Sequence, residues 1–559
     1  MHFINLKSCR VFTLILALLS LCSATTIDFS KTVGINYYFD SNIGSNENNG
    51  LSSNSPFKSL SKLKFLKLNP GDKVLLSTES LFHEPLILKD IYGTKENKIT
   101  FSSYTLNEKA KTDTRATINV FDNLNAIFII DCSFIVIKNI AISANPGDKK
   151  LIPNVKTMRC GILVKPLKTG VTENLTFKNL IIEDVFYENN GFKRPSTEVY
   201  SANGTQNYGW GFRVINRNKN ATIKNILVEN CKIKNVSHTG IKFTGQDRNI
   251  KNITVKNCQV LETGGPGIQI SGVEKGHIVN NYVNKSGSNN DTRKWGRGSG
   301  LWTWGSSDIL IEKNHFLNAN GPGDSAGAHI DFNCANIILQ YNFSANNAGG
   351  FCEILGNNYH CAYRYNISVN DGYRIKGKNN AFQEGKTLWL SGFNGKNTKR
   401  KGPFNSYIYN NTIYTSKNII SKYAFSKTAS GVLIMNNIFY IEGEIEAVLG
   451  DQYKPENKGK SNIKNVVFEN NLFLGKTNWP KNIAINDNTP LIGNPNFTKK
   501  GGLAIRNYIP RNMQIIKNKG KKIKLIPNDT KGLILGLDVN FDILGNKIIG
   551  KPDIGAIEI

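Results

Sequence analysis

Three segments, "NLTFKNLIIED" (174–184), "ATIKNILVEN" (221–230) and "NITVKNCQV" (252–260), decide the fold. Each is a short run in which aliphatic and β-branched residues alternate with polar ones, with an Asn close to its end. The pattern extends from "FIVIKNIAIS" (134–143) to "VVFENNLF" (466–473). Repeats of such short strands, with no amphipathic helix between them, are typical of a solenoid.

The repeat predicts an all-β chain folded as a single-stranded parallel β-helix, in which each coil adds one strand to each sheet. An Asn at each turn is expected to hydrogen-bond its equivalent one coil away. We expect a cap and first coils over about 33–117, central coils with loop insertions over about 118–475, and C-terminal coils with a closing segment over about 476–559.

Composition and the N-terminus restrict the class of protein. The 559 residues are 40% hydrophobic and 20% charged, which excludes a disordered chain and a coiled coil. Residues 1–24 have the form of a secretory signal, with Lys7 and Arg10 before an apolar stretch too short to span a bilayer. We therefore expect a secreted or periplasmic protein without a membrane span. Leu21 stands where a lipoprotein signal has a small residue, which disfavours lipid anchoring at Cys22.

The net charge of the chain indicates what kind of partner it binds. The formal net charge is +28, which fits an anionic polysaccharide or oligosaccharide. No nucleic-acid motif is present, and we expect a monomer.

Seven widely spread cysteines follow the signal, an odd number that argues against a disulfide framework and predicts buried thiols.

Two terminal segments carry a family resemblance. "YYFDSNIGSNENNGLSSNSPFKSLSKLKFLKLNPGDKVLL" (37–76) resembles the cap and first coil of secreted right-handed parallel β-helix proteins, and "KPDIGAIEI" (551–559) resembles their C-terminal end. The resemblance is to carbohydrate-active proteins of the pectate lyase-like superfamily, of the polysaccharide lyase type. It implies a right-handed helix but does not determine the activity.

The spacing of coils converts the sequence into a surface map, because equivalent positions lie about 4.8 Å apart in neighbouring coils. Strands of the form Gly-Ile-x-Ile set the register. The first outward column is predicted to run Arg213, Lys242, Gln269, Trp302, His329, Glu353, Arg374. A parallel column two residues further along is predicted to run Ile215, Thr244, Ser271, Trp304, Asp331, Leu355, Lys376.

Tryptophans beside convergent ionisable groups are typical of a sugar-binding cleft. We expect loops at 286–300 and 320–327 to form its walls, with candidates that include Arg297 and Asp324. The predicted substrate-binding residues are Trp302, Trp304, Lys242, Gln269, Arg364, His360 and Trp389. The alternative is a face of local ion pairs flanked by half-buried tryptophans.

The leading prediction for the chemistry is β-elimination on a uronic-acid-containing glycan, as a lyase or a dehydratase. Arg374 and Lys376 would neutralise the substrate carboxylate, and His329 would take the C5 proton. Tyr359, His360 or Tyr373, the last of them predicted to point inward, would supply the acid. The predicted catalytic residues are His329, Arg374, Lys376, Asp331 and Glu353.

Three alternatives remain open. Asp331 and Glu353, with Cα atoms roughly 8 Å apart in this register, fit an inverting glycoside hydrolase, whose carboxyl groups lie about 6.5–9.5 Å apart. The same carboxylates with Asp324 can instead hold calcium, although the sequence has no dedicated metal-site motif. A non-catalytic carbohydrate-binding surface protein is the third.

Overall fold

A computed structural model describes residues 34–105, 114–146, 158–202, 204–448, 463–483 and 485–559. The predicted signal peptide (1–24) and Cys22 lie outside the described residues. Within the described ranges, no helix is long and apolar enough to cross a membrane.

The chain is a right-handed parallel β-helix, as the repeat and the resemblance predicted. Each coil passes through three parallel sheets, called sheets 1, 2 and 3 in chain order. Sheet 1 contains Asn36–Phe39, Lys73–Ser77, Ile99–Tyr104, Ile135–Lys138, Gly170–Lys178, Ala221–Glu229, Ile250–Lys256, Val273–Val279, Ser307–Glu312, Ala335–Gln340, Ala362–Arg364, Phe404–Tyr409, Ser430–Met435 and Lys464–Glu469. Sheet 2 contains Leu81–Phe82, Ala116–Asn119, Ile140–Ala144, Ile181–Val185, Lys232–Val236, Gln259–Leu261, Tyr282–Asn284, His315–Leu317, Phe343–Ala345, Ile367–Val369, Thr412–Thr415, Ile438–Ile441, Leu472–Phe473 and Leu491–Ile492. Sheet 3 contains Leu86–Lys89, Asn125–Ile130, Arg159–Val164, Gly209–Asn216, Ile241–Gly245, Ile268–Ser271, Leu301–Trp304, Ala328–Ile330, Gly350–Ile354, Lys386–Leu390, Ser421–Phe425 and Ile445–Ala447.

Helical segments are few and short within the described chain. Three 3₁₀ turns span Leu60–Phe65, Ser196–Tyr200 and Ile505–Tyr508, and one α-helical turn spans Met513–Ile516. The solenoid is therefore built almost entirely from strands and turns.

Asparagines stack at the turn between sheets 1 and 2, as the repeat predicted. In one step of this ladder, Asn342 Nδ2 donates to Asn366 Oδ1 at 3.0 Å. The ladder continues through Asn281, Asn314, Asn342, Asn366, Asn411, Asn437 and Asn471. Because each amide bonds its copy and nearby backbone groups, the buried turn is satisfied coil after coil.

Inward-facing aliphatic side chains from all three sheets fill a continuous core. The seven cysteines after the signal are buried free thiols, as predicted from their number and spread. The core is therefore held by packing and hydrogen bonding. Polar residues lie on the outward face of sheet 3.

Candidate active site

A cavity of about 470 Å³ opens on the outward face of sheet 3. Its walls come from six consecutive strands of sheet 3, from Gly209–Asn216 to Gly350–Ile354, and from loops near residues 200, 297, 324, 383 and 393. Seven of the predicted site residues line it, namely Lys242, Gln269, Trp302, Trp304, His329, Asp331 and Glu353. The structure therefore brings most of the predicted column into one cleft.

Pairing between strands confirms the register of the first outward column as far as Glu353. Lys242 pairs with Gln269, which pairs with Trp302, which pairs with His329. The partnership of Ile330 with Ile354 places Glu353 beside His329 in the next coil. In the parallel column, Thr244, Ser271 and Trp304 follow one another as predicted.

Beyond Glu353 the predicted register is wrong. Trp389, not Arg374, pairs with Glu353. The segment around Arg374 resembles a strand in sequence but forms an insertion, with Gly372 and Gly377 in the left-handed region, before sheet 3 resumes at Lys386. Trp389 therefore extends the column.

Because the segment around Arg374 is an insertion and not a strand of sheet 3, three candidate residues lie where the sequence did not predict them. Lys376 is exposed and lies outside the cavity, and Tyr373, predicted to point inward, is also exposed. Arg374 is buried, and its guanidinium donates to the carbonyls of Gln383, Gly321 and Asp324 at 2.8 to 3.0 Å. Arg374 thus holds the loop that carries Asp324.

Arg364 and His360 lie away from the cleft, contrary to the expectation that they contact substrate there. Arg364 ends a strand of sheet 1 and donates to Gln340 Oε1 at 2.8 Å and to the carbonyl of Gly536 at 2.8 Å. His360 Nε2 lies 3.3 Å from Asp529 Oδ1. Both side chains attach the C-terminal segment to sheet 1, because the strand after His360 belongs to that sheet.

Asp324 enters the cleft from the loop before strand Ala328–Ile330. Its Oδ2 accepts a 2.8 Å hydrogen bond from Arg297 Nε, and the residue lines the cavity. Burial opposes ionisation, but the charge and hydrogen bond of Arg297 outweigh it and lower the pKa of Asp324. Asp324 and Ser325 adopt positive φ, so the backbone turns sharply at this carboxylate. Asp324 is therefore ionised at neutral pH.

Asp331 follows the same strand and has the opposite electrostatic environment. Burial in the cavity wall raises its pKa to about 7, although the backbone N–H of Phe332 donates to Oδ1 at 2.9 Å. The negative charge of Asp324 adds to the rise. The ionised carboxylate of Asp324 and the proton-retaining carboxyl group of Asp331 thus lie in one cavity, just before and just after the same short strand.

Glu353 and Lys386 lie deeper, on the two strands after Ala328–Ile330. Burial raises the pKa of Glu353, and the charge of Asp324 raises it further. Burial lowers the pKa of Lys386, whose Nζ lies 3.7 Å from the centre of the Trp389 ring. Their mutual attraction opposes both shifts, because the charge of each group favours the charged form of the other.

His329 is neutral in this site. Burial lowers its pKa to about 4, and its Nδ1 lies 2.9 Å from Ser299 Oγ. Ser299 Oγ also accepts the backbone N–H of Ala326 at 3.1 Å, which fixes the hydroxyl beside the ring. Nδ1 of His329 is therefore engaged by Ser299, and Nε2 is the ring nitrogen left for a ligand.

Aromatic rings form the walls of the cleft. The ring of Trp302 lies 5.5 Å from that of His329, and its buried Nε1 has no partner in the described part of the chain, whereas Trp304 is 39% exposed. Phe332 lies between Trp304 and Phe393, with ring centres 5.9 and 5.6 Å away. Flat apolar faces beside hydrogen-bonding groups suit a pyranose ring.

Several cleft residues were not predicted from the sequence. Their common feature is a position in an insertion or in a coil whose register was not predicted. They are Tyr200, Gln206, Phe332, Phe382, Gln383 and Phe393 in the cavity wall, with Lys386 behind Glu353. Only the interruption of the repeat signalled that such loops existed.

Within the described ranges, no group of three His, Cys, Asp or Glu side chains is arranged to hold a metal ion. The carboxylate expected to contribute to calcium binding, Asp324, is engaged by Arg297.

Comparisons with known proteins agree with the fold and revise the chemistry. The model described as "Right handed beta helix region" matches residues 211–413. A lacto-N-biosidase of Bifidobacterium longum subsp. longum is 24% identical over 625 aligned residues, which cover 94% of this chain and 36% of that protein. The chain thus spans about a third of the length of this curated relative.

Solved structures of the GH136 lacto-N-biosidase from Eubacterium ramulus share the fold. The selenomethionine derivative superposes with a TM-score of 0.51 at 19% identity, covering 82% of this chain and 68% of that one. The native protein gives a TM-score of 0.50 at 17% identity over the same shares of the two chains.

The prediction of β-elimination on a uronic-acid glycan is wrong in the light of these relatives. The curated relative is a glycoside hydrolase, so the comparison favours the hydrolase alternative over the lyase. The sequence led to elimination because Arg374 and Lys376 were placed on the cleft face, where the structure does not put them.

Proposed function

We propose that the cleft hydrolyses a glycosidic bond, with Asp331 as the general acid and Asp324 as the ionised carboxylate. The observation that carries this proposal is the contrast between two carboxyl groups that flank one strand. Asp331 retains its proton up to about pH 7, whereas Arg297 keeps Asp324 ionised. Glycosidases commonly use one protonated and one ionised carboxyl group across the scissile bond.

We infer that Asp331 works with Asp324 and not, as the sequence suggested, with Glu353. Both of these groups have raised pKa values, so the two together lack an ionised member. Asp324 provides that member in the same cavity. Glu353, held near Lys386, is left as a hydrogen-bonding group of the cleft floor.

The reaction requires one proton transfer to the leaving group and one nucleophile at the anomeric carbon. Asp331 donates its proton to the glycosidic oxygen as that bond breaks. In one route Asp324 attacks the anomeric carbon, and water, deprotonated by Asp331, then hydrolyses the glycosyl-enzyme ester and releases Asp324. In the other route Asp324 removes a proton from water as that water attacks the anomeric carbon. The anomeric configuration of the product distinguishes the two routes. Neutral His329 forms a hydrogen bond through Nε2 with a substrate hydroxyl.

The walls account for substrate binding. Trp304 offers a solvent-facing ring for sugar stacking, and Trp302 presents an indole beside His329. Because the N-terminus has the form of an export signal, we propose that the enzyme meets its glycan outside the cytoplasm, in the periplasm or the medium.

The test is product analysis on soluble oligosaccharides by anion-exchange chromatography. Wild-type protein should release shorter reducing sugars from at least one substrate. Asp331→Asn and Asp324→Asn should each lower kcat by about 10²–10⁴-fold, the range expected for loss of acid–base catalysis. Asp538→Asn, at an exposed carboxyl group, is the matched control. Full activity in both cleft variants would overturn the assignment.

A further inference from the structure

Three basic residues line the same cleft on the coils that precede the carboxyl groups. Arg213 and Lys242 pair on neighbouring strands of sheet 3, so their side chains leave the same face side by side. Both lie over Trp210, with Arg213 Cζ 4.1 Å and Lys242 Nζ 4.8 Å from the centre of its ring. Arg217 reaches the cavity from the end of the same stretch and is exposed.

These cations have no carboxylate partner in the part of the chain that the structure describes. Arg213 is 2% exposed, yet among the described residues its only acceptor is Gln206 Oε1, 3.4 Å from each terminal nitrogen, and its Nε has no partner there. Lys242 is also buried, and burial together with the charges of Arg213 and Arg217 lowers its pKa. A buried charge without a partner is costly, so this arrangement requires an explanation.

Other buried arginines of this chain are satisfied by the fold. Arg159 donates to the carbonyls of Phe121, Asn123 and Phe186. Arg374, likewise, donates to three loop carbonyls within 3.0 Å. Arg213 differs because it faces a cavity rather than backbone acceptors.

Neighbouring polar groups on the cleft wall are also unsatisfied. Thr244 Oγ1, on the strand of Lys242, and Gln269 Oε1, on the following strand of sheet 3, have no hydrogen-bond partner within the described ranges. Lys242 lies three coils before His329, a separation of about 14 Å at the spacing of parallel strands. A ligand that reached both the cations and the carboxyl groups would therefore extend along several coils.

We propose that Arg213, Arg217 and Lys242 form a subsite for an anionic group of the substrate, a carboxylate or a sulfate ester. The inference rests on the proposed hydrolase and names its substrate class as an acidic oligosaccharide. Arg213 supplies a planar donor for two oxygens, and Arg217 adds a contact at the rim. Lys242 supplies an ammonium group, because a bound anion raises the pKa that burial and the two arginines lower. The hydrolysed bond lies toward the coils of Asp331.

The experiment measures binding without turnover, on an Asp331→Asn background. Its glycan array presents neutral oligosaccharides beside matched members that carry one sulfate ester, one sialic acid or one uronic acid. Charged members should bind at least about tenfold more tightly than their neutral counterparts, since each charge-assisted contact is worth more than a neutral one. Preference between sulfate and carboxylate members identifies the source of the anion.

Added substitutions locate that preference. Lys242→Met should reduce it to within about threefold while binding of neutral members persists. Arg217→Gln, at an exposed position that cannot affect the core, should reduce it in the same direction. Lys251→Met removes an equal charge from sheet 1, where Lys251 pairs with Glu274, and should leave the preference intact.

The outcomes separate this inference from the proposed function. Equal binding of charged and neutral glycans, no binding of any charged glycan, or a preference that survives both cleft substitutions overturns the subsite. Charged glycans that bind through Lys242 but are returned intact by the wild-type enzyme would retain the subsite and overturn the hydrolase.

Discussion

Arg297 Nε donates a 2.8 Å hydrogen bond to Oδ2 of Asp324, although the two residues belong to different insertions of the solenoid. Both side chains are largely buried, so the pair is weakly screened by solvent. The ionised state of Asp324 therefore depends on the docking of one loop against another. This dependence makes Arg297 a positioning residue with a measurable signature.

Replacing Arg297 with Gln should move the acidic limb of the pH–rate profile upward by about one pH unit or more. Asp324 acts as the ionised form, and loss of Arg297 removes the main interaction that lowers its pKa. The measurement is kcat/KM against pH. Arg297→Lys keeps the charge and should restore part of the shift, whereas an unchanged acidic limb in Arg297→Gln would show that Asp324 is not the titrating base.

The basic limb should report Asp331. Its folded-state pKa is raised to about 7, so the protonated acid predominates below that pH and is lost as the pH rises through it. We expect kcat/KM to fall about tenfold per pH unit on the alkaline side. A rate that continues to rise above neutrality would contradict the assignment of Asp331 as acid.

Substitutions of Arg374 and of Lys376, two residues apart, should differ in their effects on stability and on rate. Arg374→Met removes donors to three loop carbonyls and should cost about 2–4 kcal/mol of unfolding free energy, with a lower kcat because the Asp324 loop loosens. Lys376→Ala, at an exposed position, should change stability by less than about 0.5 kcal/mol and leave the rate unchanged. Thermal unfolding and steady-state kinetics check both, and equal loss of activity in the two variants would restore a cleft position for Lys376.

Trp304→Ala should raise KM about tenfold with little change in kcat or in stability. Its ring is 39% exposed in the cleft, so its loss removes a stacking surface without opening the core. Tyr282→Ala is the matched control, since Tyr282 is 39% exposed on sheet 2, away from the cavity. An unaltered KM for Trp304→Ala would place the sugar elsewhere on the cleft.

The regular part of the repeat was predictable from the sequence. Gln269, Trp302 and His329 could be aligned because each stands two residues after the Gly that opens its strand segment. The prediction failed at Arg374, because a segment with the sequence of a strand forms a loop instead. Hydrogen bonds from Arg374 to distant carbonyls fix that loop. Strand pattern alone carries no information about such contacts.

The charge states of the site residues were harder to predict from the sequence than their positions. Asp324 was recognised as a loop candidate, but its ionised state depends on Arg297 from another insertion. The raised pKa of Asp331 depends on how deeply the cavity wall covers it. Both properties arise from loop packing, which the period of the repeat does not encode.

Isotope incorporation tests the central claim most directly. The purified protein is incubated with responsive oligosaccharides in ¹⁸O-labelled water, and the products are examined by mass spectrometry. Hydrolysis predicts that one product of each cleavage carries a single ¹⁸O at its new reducing end, with no unsaturated sugar. Products that lack ¹⁸O and contain a C4–C5 double bond would contradict the account.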